Sequence, residues 1–94
     1  MPVMETKEIN KIVESFKLVD FSELRAPIIA VYEHPLDFPD YYVARIWDVN
    51  RPTNTIILRG SLGEIETDVL NNTSCTTFFL ASKYDDPHLV GTYI

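Results

Sequence analysis

The chain has 94 residues, 46% of them hydrophobic and 23% charged, with a formal net charge of −6. This suits a single compact α+β domain spanning 1–94, argues against wholesale disorder, and disfavours a deep enclosed active site, which would consume the one core available. The acidic balance also speaks against a general nucleic-acid binder, because Lys7, Lys11, Lys17, Arg25, Arg45, Arg51, Arg59 and Lys83 are scattered rather than clustered for phosphate neutralisation.

The opening residues, MPVMETKEIN, carry no basic segment followed by an apolar run, and no apolar run is long enough to span a bilayer. Cys75 is the only cysteine, so no internal disulfide is expected. A cytoplasmic protein without membrane contact fits both observations. Residues 6–19 then read as an amphipathic helix: Ile9, Ile12, Val13 and Phe16 fall at i, i+3, i+4 and i+7, and Thr6 is a candidate N-cap. Pro27 bars any helix from continuing.

IIAVYE (28–33) is rich in β-formers and reads as the first strand. HPLDFPDY breaks regular structure with Pro35 and Pro39. Residues 42–49 read as the second strand, NRPTN as a turn, and TIILR (55–59) as the third strand. Short connections of this kind favour an antiparallel meander. In GSLGEIETDVLNN the period lengthens. Ser61 and Glu64 have capping-box spacing, Leu62, Ile65 and Val69 share one helical face, and Asn71 or Asn72 is suited to a left-handed stop. CTTFFLAS (75–82) and HLVGTYI (88–94) complete the series as strands four and five. The expectation is therefore a two-layer fold of order α-β-β-β-α-β-β, with a five-stranded, mainly antiparallel sheet and two helices.

Four stretches, VYEHPLDFPDYYVARIWD, PTNTIIL, SLGEI and DDPHLVGTYI, carry a resemblance that covers residues 31–94. They resemble a group of small uncharacterised proteins of Gram-positive bacteria with the pattern E-H-P-x-D-x-P, Y-V-A-R-x-W/F-D, P-T-x-T, S/T-L-x-E-I and a terminal D-D-P. The chain departs from that pattern at Gly91, where the group carries an acidic residue. The resemblance implies a bacterial cytoplasmic protein and supplies no activity.

The second strand holds the candidate functional residues. Alternation places Val43, Arg45, Trp47 and Val49 on one face and Tyr42, Ala44, Ile46 and Asp48 on the other. Arg45 beside Trp47 suits a cation–π platform or a clamp for a carboxylate or phosphate, whereas an ordinary sheet surface would pair Arg45 with a cross-strand acid. Tyr32, Phe38, Tyr41, Tyr42 and Tyr93 add aromatic surface nearby, which suits either an interface or burial. Glu33, His34 and Asp37 offer acid–base groups, but their spacing matches no metal motif, and turn solvation explains them equally. Asp85, Asp86 and Pro87 read as a turn. No basic neighbour in sequence activates Cys75, which reads as structural. No serine elbow, P-loop or dinucleotide fingerprint occurs, so no catalytic residue and no cofactor is expected.

Three functional expectations follow. One is a non-enzymatic interaction or regulatory module that uses an open sheet face to self-associate as a homodimer or to bind a protein partner. The other is a binder of an anionic small molecule, or an enzyme, with a site around Arg45, Glu33 and His34. A third is an acidic antagonist of a basic protein.

Overall fold

A computed structural model describes residues 10–94. Six strands and one α-helix follow in the order β1 (Lys11–Ile12), β2 (Pro27–Glu33), β3 (Tyr42–Asp48), β4 (Arg51–Arg59), α1 (Leu62–Asn72), β5 (Phe78–Leu80) and β6 (Leu89–Tyr93). Short 3₁₀ turns lie at Phe16–Leu18 and Phe21–Glu23. All six strands form one sheet, ordered β1-β4-β3-β2-β6-β5. β1 runs parallel to β4 and every other pair is antiparallel. The expected five-stranded, two-helix fold is thus corrected to a mixed six-stranded sheet with a single helix among the described residues.

The helix expected over 6–19 accounts for the difference. Residues 6–9 lie outside the described residues; from Asn10 to Val19 the chain is not α-helical. Lys11 and Ile12 pair with Thr55 and Ile56, and the Val13 N–H donates to the Ile56 carbonyl at 2.9 Å. The Ser15 side chain then accepts the Lys17 N–H at 3.0 Å, starting the 3₁₀ turn that drives Phe16 into the core. Pairing with a strand more than forty residues away outweighs a local 3.6-residue apolar rhythm, which is a weak signal over so short a segment.

The meander β2-β3-β4 forms as expected, but its second turn is tighter. Val49 and Asn50 both take positive φ, 52° and 64°, and join Asp48 directly to its partner Arg51. That is the handedness of a two-residue hairpin turn matching strand twist. β4 therefore starts at Arg51, not at Thr55. Two extra residues on β4 bulge between the Arg45–Ile56 and Trp47–Pro52 pairs. The Thr53 hydroxyl bridges this irregularity by donating to the Ile46 carbonyl at 2.7 Å.

Helix α1 starts as its sequence indicates. The Ser61 hydroxyl accepts the Glu64 N–H at 3.2 Å, and the Glu64 carboxylate accepts the Gly60 N–H at 3.1 Å. Its end differs from expectation. Asn71 and Asn72 stay helical, and Thr73 in extended conformation closes the last turn through its N–H and hydroxyl, both donated to the Val69 carbonyl. The buried helix face is Ile65, Asp68 and Val69, while Leu62 stays exposed. This face joins Phe16, Ile29, Val31, Ala44, Ile46, Ile57, Cys75 and Tyr93 in one core.

β5 is far shorter than the strand expected over 75–82. At its partner position in β6, Gly91 has no room for a side chain: an added Cβ would sit 2.4 Å from Phe78 Cζ and 2.5 Å from the Phe79 carbonyl oxygen. The Phe78 ring fills that space and tilts against Tyr93 at 4.6 Å.

Candidate functional site

On the sheet face away from α1, β2 contributes Ile28, Ala30 and Tyr32, paired across from Trp47, Arg45 and Val43 of β3. The expected alternation is therefore what places Arg45 and Trp47 together, although Val49 leaves the face to enter the turn. This face is not open sheet: Ala30, Val43 and Ile56 are buried on it.

Arg45 has no facing carboxylate across the strands; its register neighbours are Ala30 and Ile56. Its guanidinium donates to the Thr53 carbonyl at 2.8 Å and to the Asn10 side chain at 3.0 Å, spanning the bulge of β4. Trp47 is half-buried, and its indole N–H is enclosed without an aligned hydrogen bond. The Tyr32 hydroxyl lies near it. Burial pushes the Tyr32 phenol up from its ordinary value, the Trp47 indole and Arg45 pull it back, and the Asp86 carboxylate adds to the rise.

Tyr32, Val43 and Arg45 form one wall of a groove of about 300 Å³. Pro35, Leu36 and Asp37 of the β2–β3 loop and Asp86 and His88 of the β5–β6 turn complete it. Glu33 and His34 do not join this lining. The Glu33 side chain is exposed, and its backbone N–H donates to the His88 carbonyl at 2.7 Å. His34, at φ 47°, donates from Nδ1 to the Pro39 carbonyl at 2.9 Å, and its ring tilts against Tyr42 at 5.0 Å. The acceptor is a carbonyl, so Nδ1 carries the proton. His34 thus staples its own loop. Asp37 enters the groove, and His88 replaces His34 as its imidazole, a substitution that sequence spacing alone does not reveal.

The other polar candidates act as turn chemistry. Asp85 accepts the Ser82 N–H at 2.8 Å, and Asp86 accepts the His88 N–H at 2.7 Å. Asp48 accepts the N–H groups of Arg25 and Ala26, fixing the entry to β2. Cys75 is buried, points at the Pro27 carbonyl at 3.5 Å, and has its thiol pushed up by burial despite a counteracting bond from Thr73. Among the described residues, no three His, Cys, Asp or Glu converge as a metal would require, and no helix is long and apolar enough to cross a membrane.

The chain matches no protein-family model, no curated protein and no solved structure. Its surface must therefore be read on its own chemistry.

The most apolar exposed element is β5, which falls within the fourth strand expected from the sequence. Phe78, Phe79 and Leu80 are all exposed at the end of the sheet. Thr77 and Ala81 donate their N–H groups toward β6, to the Ile94 and Val90 carbonyls. Strand alternation then directs the N–H and C=O of Phe78 and Leu80 outward. From Thr73 to Ser82 there is no charged residue. Natural sheet edges are commonly blunted by Lys, Pro or a bulge; this one carries neither Lys nor Pro. The signal in sequence is that uncharged run, visible once β5 is known to be an edge. On the helix side, Leu62, Ile65, Phe78, Leu80, Val90 and Tyr93 line a shallow apolar groove of about 290 Å³, with Glu66 as its charged member.

Proposed function

We propose that the protein is a non-enzymatic interaction module that binds an extended protein segment by strand addition at β5. One observation carries this reading: a sheet edge with outward backbone donors and acceptors, three exposed apolar side chains and no flanking charge. Such an edge offers main-chain hydrogen bonds for affinity and an apolar groove for alternate side chains. The Arg45–Trp47 face is the weaker docking surface, because Arg45 is already bonded across the bulge and its neighbours are buried.

Titration with short peptides of alternating apolar and polar residues, followed by amide chemical shifts, tests the reading. Shifts centred on Phe78 and Leu80, abolished by Leu80→Lys, are expected. If no peptide moves those two amides, strand addition is wrong.

The groove beside Tyr32 supports a second reading, the binding of a small anionic molecule on Arg45. Its lining changes the residue set from Glu33 and His34 to Asp86 and His88. Arg45→Met would abolish saturable binding in a screen of anionic metabolites while the fold persists. An intact Arg45 chain that binds none of them would remove this reading.

A further inference from the structure

We infer that the segment β5 receives is β5 of a second copy, joined antiparallel about a two-fold axis at Phe79 to make a continuous twelve-stranded sheet; this rests on the strand-addition reading above. Three features of the edge are self-complementary. The first is hydrogen-bond phase. Phe78 and Leu80 face outward, so centring the axis on Phe79 sets Phe78 of each copy opposite Leu80 of the other. Both are then hydrogen-bonded pairs, giving four N–H···O=C bonds, and Phe79 faces its own symmetry mate in the close, non-hydrogen-bonded pair. A shift of one residue would put inward-directed groups against outward-directed ones.

The second feature is side-chain match. Phe78 pairs with Tyr93 of the core face in β6, and Leu80 with Gly91, so both side chains lie on the helix side. Across the axis each Leu80 covers the other copy's Phe78, and the two apolar grooves meet. On the opposite face the two Phe79 rings pack together. The third feature is charge. Two chains of net charge −6 repel. The edge at β5 lies within the uncharged stretch from Thr73 to Ser82, so the paired strands themselves carry no like charges, and Glu66 is the one charged residue lining each groove. At the opposite edge, β1 itself contains Lys11, with Glu14 close behind.

The area sets the strength. Leu62, Phe78, Phe79 and Leu80 retain 41%, 37%, 54% and 79% of their surface. For side chains of this size that is on the order of 400 Å² per copy, about half a standard partner's share. The pair is therefore a weak, concentration-dependent dimer.

Sedimentation equilibrium of the full chain up to about 1 mM is expected to show a reversible monomer–dimer equilibrium. Leu80→Lys and Phe79→Lys, both at exposed positions, are each expected to stay monomeric with an unchanged melting temperature. Under mild oxidation Phe79→Cys is expected to form a covalent dimer, because facing residues of a non-hydrogen-bonded pair lie about 4.5 Å apart at Cα, within disulfide range. Leu80→Cys, which faces Phe78 of the other copy, is not. A wild-type chain that stays monomeric throughout, a dimer that survives both lysines, or equal crosslinking at 79 and 80 overturns the inference. The peptide titration separates the two claims: a monomeric chain whose Phe78 and Leu80 amides still respond to a peptide retains strand addition and loses the two-fold pair.

Discussion

Arg59 Nη2 meets Asp68 Oδ2 at 2.8 Å, while Asp68 Oδ1 accepts the backbone N–H of Phe16 at 2.9 Å. The same guanidinium also donates to the Glu14 carbonyl. One carboxylate on α1 therefore ties together the end of β4, the helix and the segment that follows β1. Asp68 is 8% exposed and its Arg59 partner 23%, so both are largely desolvated.

Removing this carboxylate leaves the buried Phe16 N–H without its acceptor and the Arg59 cation without its counter-ion. Asp68→Ala is expected to destabilise the domain by about 3 kcal/mol. Asp68→Asn keeps an acceptor for Phe16 and should lose less. Urea unfolding of both variants, read as a shift in midpoint at constant slope, decides the order.

Val49 and Asn50 occupy left-handed backbone conformations at the β3–β4 turn. Asn tolerates that region, whereas a β-branched residue does so only under strain. Val49→Asn and Asn50→Gly together convert the turn to the Asn-Gly pair that such hairpins favour. The double variant is expected to gain about 1 kcal/mol in denaturant unfolding. An unchanged or lower midpoint would show that Val49 contributes more through contact than it costs in strain.

A methyl group at position 91 collides with Phe78 and with the backbone of β5. Gly91→Ala is expected to cost about 2 kcal/mol and to release β5. Amide exchange should accelerate at Phe79 and Ala81 while β2, β3 and β4 stay protected. Adding Phe78→Ala clears the ring but not the Phe79 carbonyl, so rescue should be partial.

Stability should fall in alkali. Burial raises the Cys75 thiol above its ordinary 9.0 and the Tyr32 and Tyr93 phenols above 10.0. Each group is neutral when protonated and holds its proton more tightly in the folded chain. Its contribution is fully present below the ordinary value and disappears as pH rises through the folded one. Melting temperature is expected to be flat with respect to these groups near neutrality, to bend down past pH 9.0 as the unfolded thiol begins to ionise, and to steepen beyond pH 10.0. Tyr93→Phe and Tyr32→Phe should each flatten the steeper part.

Local chemistry explains which parts of the fold were legible. β2 and β3 carry runs of β-branched and aromatic residues between prolines and turn residues, and they appear as Pro27–Glu33 and Tyr42–Asp48. Ser61 and Glu64 announce the helix because a cap is a contact within four residues. The pairing of Lys11–Ile12 with Thr55–Ile56 has no such local signature, so the spacing of Ile12, Val13 and Phe16 reads as helical until β4 supplies its alternative. The candidate site divides the same way. Alternation along β3 suffices to put Arg45 and Trp47 on one face. The convergence of Asp86 and His88 on Tyr32 depends on β6 lying beside β2, a neighbour relation set by sheet order rather than by any short motif.

β5 is paired on one side only, and its three residues remain exposed. Local opening of a sheet begins where few buried contacts and one ladder hold the chain, so this strand opens at far lower free energy than the interior strands. The edge proposed to recruit another chain is then also the first to come loose. Occupancy would close that opening, and the protein's state of assembly could be read from amide exchange at Phe79 and Ala81 even where the overall melting temperature barely moves.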